Sequence, residues 1–187
     1  MQLRDKVVVI TGGSGGIGRA MAAAFLAEGA REVTLADLNL EQVHAAAAEL
    51  GCQAAVCDVT DEAVMTRLVE DVIGRSGRID LFCSNAGAGG EGVLTDATND
   101  VWQKQWDLHV MSHVYAARAV LPSMIERGEG YLLNTASAAG LLAALGSGPY
   151  SVTKAAAVKL AEFLSITHGD EGIKVSVLCP QGVNTAM

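Results

Sequence analysis

Six short apolar runs rich in β-branched residues recur along this chain, at residues 6–11, 32–37, 52–57, 79–84, 130–136 and 174–179. Between them, residues 17–28, 40–50, 61–75, 99–126 and 149–168 carry helical spacing or helix-forming composition. Strands that alternate with helices from end to end imply an α/β fold, a parallel sheet with helices on both faces and right-handed crossovers. Val7-Val8-Val9-Ile10 is apolar at every position, as a strand buried on both sides requires. No repeat, low-complexity linker or domain boundary interrupts the alternation, and Arg127-Gly128-Glu129-Gly130 reads as a loop. A length of 187 residues, half of them hydrophobic, suits one domain with a sizeable core.

Several function classes are excluded early. Only 4% of residues are aromatic and the net charge is −8, a poor match to the basic, stacking surfaces that bind nucleic acid. No apolar run reaches the eighteen or so residues that span a bilayer, and residues 1–6 lack a signal-peptide core, so a cytoplasmic protein with no membrane partner is expected. Cys52, Cys57, Cys83 and Cys179 have neither metal nor redox spacing and read as buried free thiols. His109 and His113 lie four apart on a helix, but no third ligand accompanies them and only His44 and His168 remain, so no metal is expected. Trp102 and Trp106 form a similar pair, read as packing.

The turn Thr11-Gly12-Gly13-Ser14-Gly15-Gly16-Ile17-Gly18 leaves the first strand and enters the first helix. Glycines there let the backbone approach a ligand, and the free N–H groups and dipole of a helix N-terminus favour a pyrophosphate. Asp37 ends the second strand, nineteen residues after Gly18, where a carboxylate accepts both hydrogen bonds of a ribose diol and repels a 2′-phosphate. Position 15 is Gly and position 38 is Leu, so no cation is at hand for that phosphate, and NAD is expected over NADP.

Tyr150-Ser151-Val152-Thr153-Lys154 projects a phenol and an ammonium from one helix face. A phenol, which ordinarily titrates near pH ~10, is a poor acid or base near neutrality, and a nearby cation favours its ionised form.

Together these residues resemble the short-chain dehydrogenase/reductase family from Lys6 onward. The Thr-Gly-x-x-x-Gly-x-Gly turn matches Thr11, Gly12, Gly16 and Gly18, the Asn-Ala-Gly element matches Asn85-Ala86-Gly87, and the family's serine matches Ser137, thirteen residues before Tyr150. The spacing at 12, 15 and 18 also suits the larger epimerase and dehydratase relatives, while Asn-Ala-Gly and the short length favour the dehydrogenases. The resemblance implies a Rossmann-type doubly wound sheet of about six strands in the order 3-2-1-4-5-6. It implies hydride transfer between a secondary alcohol or ketone and NAD, with Ser137 bonding the substrate oxygen, Tyr150 exchanging the proton and Lys154 holding the nicotinamide ribose. Its cofactor contacts correspond to Gly12, Ser14, Gly15, Gly16, Ile17 and Gly18, then Asp37 and Leu38, then Asp58 and Val59 near the adenine. Asn85, Ala86, Gly87, Tyr150 and Lys154 follow, with Pro180, Gly182, Val183 and Thr185 closing over the nicotinamide. It further implies a homodimer or homotetramer through the 99–126 and 149–168 helices, with Ala155, Ala156, Ala157 and Ala161 small enough for close packing.

Two departures stand out. His109 replaces the family's relay asparagine, which makes an imidazole a candidate catalytic, titrating group on the proton path. The sequence ends at Met187, where relatives begin a substrate lid followed by a helix and an edge strand, so residues 1–187 are expected to form a single dinucleotide-binding and catalytic domain without those parts. Besides the dehydrogenase, an NAD-binding sensor with little turnover and an epimerase or dehydratase remain open.

Overall fold

In the computed structural model, which describes residues 1–90 and 92–184, all six expected strands form one parallel sheet. In chain order these are β1 (Val7–Thr11), β2 (Glu32–Asp37), β3 (Gln53–Val56), β4 (Leu81–Ser84), β5 (Gly130–Thr135) and β6 (Ile173–Leu178), arranged 3-2-1-4-5-6. The crossovers are α1 (Gly16–Ala27), α2 (Leu40–Leu50), α3 (Glu62–Ser76), the pair α4 (Asn99–Trp106) and α5 (Ser112–Arg127), and α6 (Gly148–His168). No described helix is long and apolar enough to cross a membrane.

Strand alternation sorts the core into two layers. Val7 and Val9 of β1 face the helices α3, α5 and α6, packing with Phe82, Val69, Val120, Met124 and Leu164. Val8 and Ile10 face α1 and α2, packing with Leu35, Val43, Ala46 and Ala22. Asn39 caps α2 through Gln42 N–H, and Asp61 caps α3 through Ala63 and Val64 N–H. The buried Asp80 carboxylate closes the lower end of the sheet, accepting the Val7 N–H at 2.8 Å and facing Arg78 Nε at 3.0 Å.

The stretch expected as one helix over 99–126 is interrupted. Residues Asp107–Met111 form a π-helical segment between α4 and α5, which widens the backbone ladder by one residue in mid-helix. Trp106 is 40% exposed, so the tryptophan pair is not jointly packed in the core. Ala157 and Ala161 are buried and serve internal packing, whereas Ala155 faces outward. Cys57 and Cys83 are buried free thiols as expected, but Cys52 and Cys179 are only partly covered.

Candidate active site

The carboxyl ends of β1, β2, β4 and β5 and the segment after β6 open onto one cleft of about 530 Å³. Its floor is the glycine turn. Gly12 has φ +62°, and a Cβ there would stand 2.8 Å from Ala86 Cα, so the turn and the Asn-Ala-Gly segment approach as only glycine permits. A Cβ on Gly18 would stand 2.4 Å from the Gly12 carbonyl oxygen, which fixes how closely α1 follows the turn. No side chain caps the start of α1, leaving its first N–H groups toward the cleft. Asp37 reaches back to this turn, its Oδ2 accepting from Ser14 Oγ at 2.6 Å and Ser14 N–H at 3.1 Å.

The second wall is Asn85-Ala86-Gly87-Ala88-Gly89. Thr11 Oγ1, at the end of β1, accepts the N–H groups of Asn85 at 3.0 Å and Ala86 at 3.1 Å. Asn85 Nδ2 donates to Thr11 O, and Asn85 Oδ1 accepts from Thr135 Oγ1 at 3.0 Å, so this one side chain ties β1 to β5.

Ser137, Tyr150 and Lys154 converge on the same cleft from the end of β5 and the first turns of α6. The Ser137 hydroxyl accepts the Ala139 N–H at 3.2 Å, which leaves its own hydrogen to donate. Lys154 is 3% exposed; its Nζ donates to Thr135 O at 3.1 Å and lies 5.7 Å from the Tyr150 ring centroid. Burial lowers the Lys154 pKa to about 8, partly opposed by Cys179. Among the described residues that line the cleft, Lys154 is the sole cation and Asp37 the sole carboxylate.

His109 sits in the π-helical segment and is wholly buried. Its Nε2 accepts the Ala88 N–H at 3.3 Å, its Nδ1 lies 3.0 Å from Thr153 Oγ1, and its ring meets Tyr150 edge-on with centroids 5.3 Å apart. Burial above all, then the charge of Lys154, pulls its pKa down to about 3. The expectation of a group titrating near neutral pH is thereby corrected, because both ring nitrogens are engaged and the charged form is disfavoured. His113 is likewise held neutral, its pKa lowered to about 3 by burial above all and then by the charge of Lys154. No group of three or more His, Cys, Asp or Glu among the described residues is arranged to hold a metal.

Three expected cofactor contacts do not line the cleft. Leu38 is 67% exposed beyond Asp37, and Val59 is buried in the core. Asp58 turns back on itself, accepting from Thr60 N–H at 2.9 Å and Thr60 Oγ1 at 2.6 Å. Pro180, Gly182 and Val183 do line it, and Thr185 falls outside the described residues. The sequence reading missed Thr135 and Thr153, whose buried hydroxyls bind Asn85 and His109; a threonine in a strand or helix carries no motif of its own, although Thr153 does immediately precede Lys154.

Beyond the wall, Gly92 N–H donates to Gly146 O at 2.9 Å and Gly148 N–H donates to Gly92 O at 3.0 Å. These bonds join the segment after the Asn-Ala-Gly wall to the start of α6.

The short chain dehydrogenase family model matches residues 6–187. Meso-2,3-butanediol dehydrogenase of Serratia marcescens is 34% identical over 190 residues, taking in 100% of this chain and 75% of that protein. Sorbitol dehydrogenase of Cereibacter sphaeroides is 36% identical over 184 residues, taking in 96% of this chain and 71% of the other. The crystal structure of levodione reductase superposes with a TM-score of 0.95 at 32% identity, covering 98% of this chain and 74% of that one. The chain belongs to the short-chain dehydrogenase family: it is an oxidoreductase that uses a nicotinamide cofactor on alcohol or ketone substrates.

Proposed function

We propose that this chain interconverts a secondary alcohol and its ketone with NAD, and that Tyr150 is the acid/base. The observation that carries the reading is the meeting of Ser137, Tyr150 and Lys154 in the cleft floored by the glycine turn. The residues suit the cofactor: uncapped N–H groups of α1 face the pyrophosphate region, and the backbone approaches there that only glycine allows are present. At the ribose end Asp37, with no cation beside it among the described residues that line the cleft except Lys154 at the other end, favours a free diol over a 2′-phosphate, which supports NAD. Bound nicotinamide supplies the hydride acceptor for alcohol oxidation.

The remaining work belongs to the protein. Ser137 donates to the substrate oxygen and keeps it in place as its charge changes. Tyr150 takes the hydroxyl proton during oxidation and returns it during reduction. Lys154, with its Nζ 5.7 Å from the Tyr150 ring centroid, stands ready to hold the ribose hydroxyls. The related proteins named above act, by their names, on butanediol, sorbitol and levodione, which supports an alcohol or ketone without choosing among such compounds. We read residues 1–187 as one catalytic domain, and the assembly as a homodimer or homotetramer through the 99–126 and 149–168 segments.

Tyr150→Phe tests the mechanism. Turnover on the alcohol selected from a 2,3-butanediol and sorbitol panel should fall by about two to four orders of magnitude. NAD affinity should stay within about twofold, because the ring and Lys154 remain. Net NADH release by the unaltered protein separates a dehydrogenase from an epimerase or dehydratase. Undiminished turnover by the Phe variant would remove Tyr150 from the reaction.

A further inference from the structure

Ala88 can only offer its N–H, so His109 Nε2 must present a bare lone pair to it. Thr153 Oγ1 directs its single hydrogen to carbonyls of its own helix, Pro149 O at 2.9 Å and Tyr150 O at 3.1 Å, and is left to accept from His109 Nδ1. The ring therefore carries its proton on Nδ1, and each nitrogen binds a different element of the site. One arm reaches the Asn85–Gly89 wall. The other reaches α6 beside Lys154 and one turn beyond Tyr150. A Cβ placed on Gly87 would lie 3.3 Å from Lys154 Nζ and 3.6 Å from His109 Nε2, which locates the ring, the ammonium and the wall around one point. A mid-helix π segment is the local backbone that delivers the imidazole there, and such segments often accompany functional sites.

We propose that His109 is a two-armed positioning residue, setting the separation between the cofactor-facing wall and the Tyr150–Lys154 face of α6 through one imidazole. The idea rests on the function read above, and it predicts that the two arms can be cut separately. Asparagine places its Nδ2 where the imidazole Nδ1 stands but is too short to reach Ala88. Glutamine carries an acceptor out to the place of Nε2 but leaves the near nitrogen's position empty.

The test uses His109→Asn and His109→Gln. Removing one hydrogen bond of ordinary strength corresponds to roughly a tenfold change. His109→Asn should thus weaken NAD binding about tenfold in calorimetry while leaving kcat within about twofold. His109→Gln should show the reverse, NAD affinity within about twofold and kcat lowered about tenfold on the alcohol used for Tyr150→Phe. Two measurements need no turnover. In the protein without cofactor, the Ala88 amide should exchange with solvent about tenfold faster in His109→Asn than in the unaltered chain or His109→Gln. Nitrogen-15 shifts of His109 in the unaltered chain should report the Nδ1–H tautomer at pH 7.

A proton found on Nε2, or an Ala88 amide whose exchange ignores both substitutions, would overturn the proposal. So would equal losses of NAD affinity and kcat in both variants, the mark of generally loosened packing. A chain that binds no nicotinamide cofactor at all would sink the functional reading instead, while amide exchange and the ring tautomer would still judge the clamp.

Discussion

Lys154→Met should make this protein more stable at neutral pH while disabling it. Lys154 has a pKa of 10.5 as an unperturbed side chain and about 8 when folded, because burial disfavours its charge. At pH 7 the folded chain must carry that charge into a site where the residue is 3% exposed. A difference of about 2.5 units corresponds to about 3 kcal/mol working against folding. Methionine keeps most of the apolar stem and removes the charge; it also forfeits the Nζ bond to Thr135 O, worth about 1 kcal/mol. A net stabilisation of about 2 kcal/mol at pH 7 follows.

The pH dependence fixes the cause. The unfavourable contribution of a lysine with a lowered folded pKa is complete below about 8 and fades as pH rises from there to 10.5, where the unfolded chain also loses its proton. The stability of the unaltered chain should gain on that of Lys154→Met across this interval, until the two are nearly equal by pH 10. Urea unfolding of both proteins without cofactor, at pH 7, 8.5 and 10, measures the gap directly, and other titrating groups largely cancel in the difference. A variant less stable than the parent at pH 7, or a gap that does not change with pH, would refute the view that Lys154 is held charged at a cost to folding.

Three further outcomes are expected. Asp37→Ser should reduce the preference for NAD over NADP by at least about tenfold in calorimetry, since it removes the sole carboxylate lining the cleft among the described residues; an unchanged preference would discard its proposed role. Gly18→Ala should weaken NAD binding and destabilise the fold by about 1–3 kcal/mol in urea, because its Cβ would fall 2.4 Å from the Gly12 carbonyl oxygen and two backbones would have to part. Ile166→Lys should turn the proposed dimer into monomer in light scattering, since α6 leaves Phe163 59% and Ile166 76% exposed; a parent chain already monomeric would rule out that interface.

The sheet was legible because its central strands β1 and β4 are buried at every position: Val7 through Ile10 admit no half-exposed placement, and the helical segments between the strands force parallel crossovers. Glycine turn, Asp37, Ser137 and Tyr150 were legible because each occupies a fixed offset from a strand end or helix start. The π segment at 107–111 was not legible. Its residues have ordinary helical composition, and the widening is bound up with tertiary contacts that place His109 between Ala88 and Thr153. For the same reason the imidazole looked free to titrate, since only the folded surroundings occupy both nitrogens. Leu38, Asp58 and Val59 follow strand ends in the chain, but position along the chain does not say which way they turn: Leu38 points outward, Val59 inward, and Asp58 bonds Thr60.

The paired hydrogen bonds of Gly92 with Gly146 and Gly148 tie two distant stretches of chain together mechanically. The segment after the Asn85–Gly89 wall is thus stitched to the turn that launches α6, only two residues before Tyr150. A displacement of the 92 segment is therefore expected to be felt in the first turn of α6, which carries Tyr150. The Gly92 and Gly148 amides should accordingly exchange with one shared opening rate.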